Sequence, residues 1–391
     1  MTPPDLIPFD LQPRTRLVFG PGTVSRAGEL AVSLGGTRVL LVTDRGIVVA
    51  GHAGRVGSAL RAAGLEVAVY DAVRENPTTE DVDRCLAVAR ESGADLLVGL
   101  GGGSSLDTAK GANFLLTNGG RMQDYWGVGR APRPMLPLVA IPTTAGTGSE
   151  CQSAALIADA VTHQKMACLD PKAAARVALL DPELTVSQPR SVTAVTGMDA
   201  LGHALETAVT RTRTAYSGLC SREAFRLAGP AFERVLGEPG DVAARGRMQL
   251  GAALAGMAIE NSMLGAAHAA ANPLTARFNV VHGAAVGLML PAVIRFNAAG
   301  DAARSVYAGL AVEAGLAGAH LPEALAVEAL LERLEFLRER AGIPRTLAEA
   351  GVDPEAIPVL AEEAARQWTA GHNPRPVAVH DFVEWYRQVA G

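Results

Sequence analysis

The spacing of apolar residues changes once along this chain, near residue 185, and this change limits the possible folds more than any other feature. Before it, short aliphatic or β-branched runs alternate with segments of helical spacing, which is typical of a parallel sheet layered between helices. After it, long stretches rich in Ala, Leu, Glu and Arg keep a helical spacing. We therefore predict an α/β domain over residues 1–185 and an all-helical domain over residues 186–391. The predicted strands are 38–43, 66–70, 95–100 and 138–141.

Three predictions concern local structure. A crossover helix is predicted over residues 81–92, because its apolar residues fall on one face. The segment 150–180 contains three short extended runs, SAALIAD, QKMACLD and RVALLD, and we place a small antiparallel excursion there. In the second domain we expect prolines to interrupt the helices, since proline removes a helical hydrogen bond. These prolines are Pro230, Pro239, Pro273, Pro291, Pro322, Pro344 and Pro354.

Composition and charge exclude several classes of function. The chain has 391 residues, of which 49% are hydrophobic, and this is enough for two separate cores. Its formal net charge is -5 with acids and bases mixed, so no basic stripe is present for nucleic acid, and 4% aromatic residues argue against single-strand binding. The longest weakly polar stretch, 251–274, contains Glu260, Asn261 and His268, which argues against a membrane span.

The first ten residues and the cysteines bear on the compartment. The start, MTPPDLIPFD, has neither a basic segment nor an apolar core, so we expect no signal peptide and a cytoplasmic protein. The cysteines are far apart and form no CxxC pair, so we predict small buried thiols rather than a disulfide framework or a zinc knuckle. They are Cys85, Cys151, Cys168 and Cys220.

A run of three glycines separates a predicted strand from a predicted helix in LLVGLGGGSSLDTAKG. Gly101, Gly102 and Gly103 allow close approach of the backbone to a ligand, and Ser104 adds a hydroxyl. The helix that follows offers free N–H groups and the positive end of its dipole, which together favour a pyrophosphate. The run is not the GxGxxG fingerprint, and a tight turn is an alternative interpretation.

Two further signals lie where other predicted strands end. PTTAGTGSE presents hydroxyls of Thr143, Thr144, Thr147 and Ser149 at a strand carboxyl end, where parallel sheets bind ligands. Asp44 closes the strand RVLLVTD, and its carboxylate would accept hydrogen bonds from an adenosine ribose and repel a 2′-phosphate. This favours NAD over NADP. A cap on the following turn is the alternative for Asp44.

The second domain contains a set of residues typical of metal ligands. Asp199 and His203 in TGMDALGHALE are four residues apart, so a helix places both on one face. His268 and His282 follow in apolar surroundings, where a polar group needs a partner. A single histidine of this kind is more often a satisfied core residue. One carboxylate with three imidazoles suits Fe²⁺ or Zn²⁺ better than Mg²⁺ or Ca²⁺, and these residues do not decide between iron and zinc.

Several longer motifs together resemble the iron-containing (group III) alcohol dehydrogenase family over nearly the whole chain. The resemblance implies a Rossmann-like N-terminal domain that binds NAD(P) and an all-α metal-binding C-terminal domain, an architecture shared with dehydroquinate synthase. It also implies a homo-oligomer, a dimer or larger, with iron as the metal and zinc as the alternative. The motifs are NPT at 76–78, GGGSSLDTAKG, PTTAGTGSE, VALLDPELT, TGMDALGHALE, the NPL and HG segments around His282, and GHNPRP.

Carried over by the resemblance, the family's metal ligands fall on Asp199, His203, His268 and His282. Its cofactor contacts fall on Asp44, Asn76, Gly102, Gly103, Ser104, Asp107, Thr143, Thr144, Thr147 and Lys165.

One position departs from the family pattern. Many relatives resemble HAxAHPLG, with a second histidine four residues after the ligand, whereas this chain reads HAAANPLT with Asn272 in that place. The resemblance implies that this position faces cofactor and substrate. Since asparagine does not titrate, a proton-relay role there is in doubt, and Asn272 is predicted to orient substrate or nicotinamide instead.

The function implied by the resemblance is reversible hydride transfer between a primary alcohol, or its aldehyde, held by the metal ion, and C4 of the nicotinamide. Glycerol dehydrogenases and maleylacetate reductases are alternatives with the same chemistry. A dehydroquinate-synthase-like lyase would need clustered bases, whereas Arg211, Arg213, Arg222 and Arg226 are scattered at helical spacings. A non-catalytic NAD-binding scaffold would have a degraded ligand set, and all four predicted ligands are present.

Overall fold

A computed structural model describes residues 7–391 and divides the chain into two compact units. One is Leu11–Gln188, and the other consists mainly of Pro189–Gly391. The boundary between the units follows Gln188, whereas the boundary predicted from the sequence follows residue 185. The predicted absence of a signal peptide concerns the first residues of the chain, and residues 1–6 lie outside the described residues.

The first unit alternates strands with helices, as the sequence predicts. Its strands are β1 (Arg16–Phe19), β2 (Arg38–Val42), β3 (Glu66–Tyr70), β4 (Leu96–Gly101), β5 (Gly127–Val128), β6 (Leu138–Pro142), β7 (Ala154–Ala158), β8 (Lys165–Leu169) and β9 (Val177–Leu180). Its α-helices are α1 (Ala27–Ser33), α2 (Arg45–Val49), α3 (His52–Ala62), α4 (Thr79–Glu91) and α5 (Gly103–Asn118). Short 3-10 helices occupy Thr23–Arg26, Met122–Tyr125, Ser149–Cys151, Pro171–Ala173 and Pro182–Thr185.

Six strands form one parallel sheet in the order β1-β9-β6-β4-β2-β3. β3 pairs with one side of β2 and β4 pairs with the other side, so the strand order reverses at β2. Parallel sheets bind ligands at such a reversal, beyond the carboxyl ends of the strands. The predicted α/β fold with a parallel sheet is therefore confirmed.

The central strands are apolar without interruption because both of their faces are covered. Every residue of β4, β6 and β9 is buried. Alternate residues face two separate cores, with Leu41 and Val98 in one and Leu40 and Leu97 in the other. A continuous apolar run of this kind is expected of a buried parallel strand. The sheet is therefore a rigid support for the loops that leave its carboxyl edge.

The predicted antiparallel excursion is correct for two of its three runs and wrong for the third. β7 and β8 pair antiparallel in a small sheet with β5. The RVALLD run instead forms β9, which lies in the large sheet between β1 and β6. Its residues are buried throughout, and strands on both sides satisfy its backbone. β1 was not predicted, since it is short and only Val18 within it is buried.

The second unit is helical, as predicted. Its α-helices are α6 (Arg190–Thr207), α7 (Ala215–Gly237), α8 (Val242–Ser262), α9 (Ala266–Phe278), α10 (His282–Ala298), α11 (Asp301–Glu313), α12 (Glu323–Ala341), α13 (Ile357–Ala365) and α14 (Val379–Gln388). Pro354–Ala356 and Trp368–His372 are short 3-10 helices. No helix within residues 7–391 has the length and apolar content that a membrane crossing needs. All four cysteines of the chain are buried, as predicted.

Three of the prolines do not interrupt helices as the sequence suggested. Pro230, Pro273 and Pro291 lie inside α7, α9 and α10. A proline inside a helix costs about 3 kcal/mol because one hydrogen bond is lost. Each of these helices packs a buried apolar face against its neighbours, and this tertiary packing outweighs that cost. Pro239, Pro322 and Pro344 lie between helices, as expected, and Pro354 is the first residue of a 3-10 helix.

Glycines let α6 and α10 approach each other closely. A Cβ atom at Gly283, near the start of α10, would overlap the carbonyl oxygen of Val195 on α6. A Cβ atom at Gly202 on α6 would lie 2.5 Å from Cγ1 of Val286. A side chain at Gly283 would overlap backbone and one at Gly202 would overlap a side chain, so both glycines allow the close spacing of the two helices. This close packing holds the first residue of α10 against the middle of α6.

Candidate functional site

The middle of α6 carries the first two predicted ligands. Asp199 and His203 are one turn apart and both are buried. The Nε2 atom of His203 lies 3.5 Å from Oδ1 of Asp199. Helical spacing alone therefore brings these two donor atoms to one place, as the sequence indicates.

The other two predicted ligands reach the same carboxylate from neighbouring helices. His268 lies in the first turn of α9, and His282 is the first residue of α10. Their Nε2 atoms lie 3.5 Å and 3.9 Å from Oδ1 of Asp199. The ring of His268 stacks on that of His203 at 4.8 Å and is tilted against that of His282 at 5.3 Å. The structure thus brings all four side chains together.

The spacing of these atoms fits a small divalent cation. Donor atoms of Asp199, His268 and His282 all lie within 4.8 Å of one another. Donor atoms that bind one ion at about 2.1 Å lie no more than about 4.2 Å apart. The donor atoms of this cluster are therefore close to the separation that a shared ion would require. A carboxylate with imidazoles is a donor set suited to Fe²⁺ or Zn²⁺.

Two buried polar atoms at this point have no hydrogen-bond partner among the described residues. Oδ1 of Asp199 and Nε2 of His268 are buried, and residues 7–391 provide neither with a hydrogen bond. A buried polar group without a partner costs about 1–3 kcal/mol. Burial opposes the charge on Asp199, but the surrounding imidazoles, with His203 first among them, hold its pKa well below the usual range. A cation at this position would satisfy these atoms.

A further buried residue, Glu206, contacts the cluster through His268. Its Oε2 lies 2.5 Å from Nδ1 of His268, and its Oε1 accepts from the backbone N–H of Ala267 at 2.6 Å. Burial lowers the pKa of His268, but the carboxylates of Glu206 and Asp199 outweigh burial and raise it. Only the neutral imidazole binds a metal ion. The sequence analysis missed Glu206, although it follows His203 by three residues on the same helical face.

Asn272 lies one turn beyond His268 on α9. It is partly exposed, and its Nδ2 donates to Oε1 of Gln367 at 3.1 Å. A side-chain amide therefore occupies the position at which the family pattern has a histidine. The predicted role of Asn272 toward substrate or nicotinamide stays a prediction.

The predicted cofactor residues gather at the carboxyl edge of the large sheet. Gly101 ends β4 with φ +145°, a conformation that favours glycine. α5 begins directly afterwards at Gly103, and its N-cap, Gly102, offers no side chain to the first N–H groups. A Cβ atom at Gly103 would lie 2.9 Å from Cγ2 of Thr147, and one at Gly102 would lie 3.3 Å from Cγ2 of Thr144. The glycine run is thus packed against the threonine loop after β6, where Thr143 is buried.

Asp44 and Asn76 border the same loop. Oδ1 of Asp44 caps α2 by accepting from the N–H of Ile47 at 3.1 Å, so the capping interpretation is correct. Its Oδ2 faces Gly101, at 3.3 Å from where a Cβ atom would stand. Asn76 has φ 51°, and its N–H donates to Oγ of Ser104 at 3.2 Å. The NPT turn is thereby tied to the first turn of α5.

Asp107 is buried in a network that satisfies it within the protein. It accepts from Oγ of Ser149 at 2.7 Å and from the N–H of Leu156 at 3.2 Å. Burial raises its pKa, whereas Lys110, Ser149 and Lys165 oppose that rise. The Nζ of Lys110 donates to the carbonyl oxygens of Ser149, Gln152 and Ala154 at 2.7–2.9 Å. These contacts hold the threonine loop against α5, and a direct contact of Asp107 or Lys165 with a cofactor stays a prediction.

Comparisons with known proteins agree with this arrangement. Residues 13–182 match the family described as iron-containing alcohol dehydrogenase, and residues 193–390 match the C-terminal domain of the Fe-containing alcohol dehydrogenase family. The chain is 35% identical over 367 residues to an NAD-dependent methanol dehydrogenase of Bacillus methanolicus, covering 94% of this chain and 96% of that protein. It is 36% identical over 372 residues to lactaldehyde reductase of Escherichia coli (strain K12), with 94% and 96% covered.

A solved structure of 1,3-propanediol oxidoreductase superposes with a TM-score of 0.93 at 33% identity, covering 96% of this chain and 98% of that one. The match therefore extends over both compact units. The sequence and the two units match this family, and they place together Asp199, His203, His268 and His282. The chain therefore belongs to the iron-containing alcohol dehydrogenase family.

Proposed function

We propose that this protein is a metal-dependent, NAD-linked alcohol dehydrogenase and aldehyde reductase that interconverts a small primary alcohol and its aldehyde. The observation that carries the proposal is the convergence of three imidazoles on the buried, unpartnered carboxylate oxygen of Asp199. The relatives named above include a methanol dehydrogenase, a lactaldehyde reductase and a propanediol oxidoreductase. These names favour a small alcohol or aldehyde as the substrate.

Asp199, His203, His268 and His282 would hold the metal ion. The family favours Fe²⁺, and Zn²⁺ is the alternative that the same donor set accepts. Such an ion is a Lewis acid that lowers the pKa of an alcohol hydroxyl and polarises an aldehyde carbonyl. The anionic Asp199 compensates part of the cationic charge, and burial of three of the four side chains keeps water away from them.

The loop at Gly102–Gly103 and the first turn of α5 would bind the pyrophosphate of NAD. Free N–H groups at a helix start favour phosphate, and the small residues leave the backbone accessible. Asp44, with one carboxylate oxygen free of its capping bond, is placed for the ribose hydroxyls and disfavours the extra phosphate of NADP. NAD would supply the hydride acceptor at C4 of its nicotinamide, and NADH the donor in reverse.

The proposal is tested with protein purified without added metal. Elemental analysis should find about one iron or zinc ion per chain, and addition of a small primary alcohol should reduce NAD far faster than NADP, as followed by nicotinamide absorbance. Primary alcohols, glycerol and maleylacetate are tested as substrates. Their relative rates distinguish this function from those of glycerol dehydrogenases and maleylacetate reductases. The proposal fails if protein loaded with iron or with zinc does not reduce NAD in the presence of any of the alcohols tested. Size measurement in solution tests the expected homo-oligomer, and fractionation of the source cells tests the expected cytoplasmic location.

A further inference from the structure

We propose that Glu206 is a positioning residue for the metal site: it fixes the tautomer and orientation of His268 and anchors the start of α9. The proposal rests on the metal site proposed above. Glu206 is buried on α6 and would not itself touch the ion, because both of its carboxylate oxygens are engaged on the far side of His268. Its effect on the metal would therefore pass through His268.

The first step concerns the two nitrogens of His268. Nδ1 lies 2.5 Å from Oε2 of Glu206, so in the neutral ring the proton is on Nδ1, where the carboxylate accepts it. Nε2 then carries the lone pair, and it is this atom that lies 3.5 Å from Oδ1 of Asp199. Only an unprotonated nitrogen binds a metal ion. The carboxylate thereby selects the tautomer in which His268 is ready to act as a ligand.

The second step concerns the backbone that carries His268. The N-cap of α9 is Gly265, which has no side chain to satisfy the first N–H groups. Glu206 accepts from the N–H of Ala267 at 2.6 Å, and Oδ1 of Asn373 lies 3.4 Å from the N of Ala266. Residues distant in sequence therefore cap this helix. The cap from Glu206 lies next to the ligand, so the same carboxylate holds both the ring and the backbone of His268.

Gly265 is matched to this arrangement. A Cβ atom there would lie 3.0 Å from Oε1 of Glu206 and 3.2 Å from Oδ1 of Asn373. Any other residue would push against both capping groups. Asn373 is held in turn by a reciprocal amide pair with Asn297, at 2.8 Å and 3.1 Å. Asn373, which caps α9, is thus itself held in place by hydrogen bonds.

The charges also agree with a divalent ion. Asp199 and Glu206 are buried carboxylates on one face of α6, and the three histidines bind metal in their neutral form. Two negative charges then balance two positive charges within a low-dielectric interior, where an uncompensated charge is costly. Loss of the Glu206 charge would leave that balance incomplete. This argument is independent of the hydrogen-bond geometry.

The experiment measures metal binding directly. Metal-free wild-type protein and Glu206→Gln are titrated with Zn²⁺ against a chromophoric chelator, and the absorption spectrum of the Co²⁺ form is recorded. An amide of the same shape cannot accept from both His268 and Ala267, so the dissociation constant for Zn²⁺ should rise about 10-fold to 100-fold. The Co²⁺ spectrum should change, because the orientation of one ligand is no longer fixed.

Two further variants separate positioning from general stability. Asp81→Asn removes a different buried acid, which caps α4 in the other unit, and it should lower thermal stability without changing the Zn²⁺ dissociation constant. Gly265→Ala displaces Oε1 of Glu206 without removing a charge, and it should also weaken Zn²⁺ binding. A role of Glu206 in helix capping alone would lower the melting temperature and leave the metal affinity of the folded protein unchanged.

The outcomes are distinct. If folded Glu206→Gln binds Zn²⁺ within about twofold of wild type and its Co²⁺ spectrum is unchanged, the role of Glu206 is overturned while the metal site stands. If the wild type itself binds no Zn²⁺, Co²⁺ or Fe²⁺, the proposed metal site is overturned, and the role of Glu206 with it. Weakened binding in both Glu206→Gln and Gly265→Ala, with unchanged binding in Asp81→Asn, supports the inference.

Discussion

The two units of this protein prepare binding sites in opposite ways. In the helical unit, side chains from three helices converge and leave two buried donor atoms without a hydrogen bond from residues 7–391. In the α/β unit, three buried polar side chains near the glycine loop, Lys110, Ser149 and Asp107, satisfy one another, and the helix that follows the loop starts without a side-chain cap. An unsatisfied side chain thus marks one site and an uncovered helix start marks the other.

This difference indicates which changes should damage each site. The metal cluster depends on the identity of a few side chains, since a lost imidazole removes a ligand outright. The glycine loop depends on the absence of side chains, since an added methyl group occupies the space of the ligand or of a neighbouring loop. Variants of the two kinds should therefore separate metal binding from NAD binding.

The largest effect is expected from His268→Ala. The variant should lose its metal ion, and kcat/KM should fall by at least about 10³-fold, because several kcal/mol of Lewis-acid stabilisation are lost. Binding of NADH, measured by fluorescence, should stay within about twofold of wild type if the two sites are independent in this respect. His320→Ala, at an exposed histidine, is the matched control and should behave as wild type. Full activity in metal-free His268→Ala protein would contradict the mechanism.

Gly103→Ala should produce the converse result. Its Cβ atom would lie 2.9 Å from Cγ2 of Thr147 and would separate the glycine run from the threonine loop. We expect the dissociation constant for NADH to rise about 10-fold or more, as about 1.4 kcal/mol of binding energy is lost, while metal content is unchanged. Gly54→Ala introduces the same methyl group where nothing lies within 4 Å, and it should leave NADH binding unaltered. Equal NADH affinity in both variants would remove the glycine loop from the proposed cofactor site.

Acid should weaken the α/β unit through Asp81. Burial opposes its charge, but hydrogen bonds from Arg74, Thr78 and Arg84 outweigh burial and hold its pKa at about 2. Because the folded pKa lies below the unfolded one, the stabilisation is complete above about pH 4 and is lost as the pH falls toward 2. Asp81→Asn should lower the free energy of unfolding at neutral pH by about 2 kcal/mol and flatten its pH dependence. Denaturant unfolding across this range measures it, with Asp83→Asn, an exposed acid on α4, as the control.

The smallest effect is expected from Asn272→His. Metal content should be unchanged, since Asn272 is not among the converging ligands, and kcat should change by no more than about 10-fold. The pH profile of kcat should gain a titration near the ordinary histidine pKa of about 6.5. Asn272→Ala, which removes the amide without adding a titrating group, should keep the wild-type profile. If Asn272→His and wild type give the same profile, position 272 plays no part in proton handling in this protein.

The local spacing of apolar residues was sufficient to predict most of the fold. The predicted strands 38–43, 66–70, 95–100 and 138–141 match β2, β3, β4 and β6 to within one residue at each end. The errors came from contacts between distant segments. β9 was taken for part of the antiparallel excursion because its neighbours in the sheet, β1 and β6, are far from it in sequence. The three prolines inside helices were misjudged because the burial of those helices depends on tertiary packing.

The candidate site likewise contains residues that local spacing predicted and residues that it did not. Helical spacing alone paired Asp199 with His203, and contiguous motifs marked the glycine and threonine loops. His268 and His282 needed the family resemblance, because sequence does not reveal which helices pack together. Glu206 was missed since a glutamate late in a helix is usually solvated, and its burial follows only from the position of α9. The capping role of Asn373 has no local signal at all.

The capping of α9 has a consequence for the order of assembly during synthesis. The α/β unit is contiguous from Leu11 to Gln188, so all of its strands are synthesised before Asp199, the first of the proposed metal ligands. The first turn of α9, which presents His268, receives a cap from Asn373, near the end of the chain. A chain that lacks Asn373 would therefore have all four proposed ligands but an incomplete cap on the helix that carries His268. The support of the ion site thus depends on a residue that is synthesised after every one of the ligands.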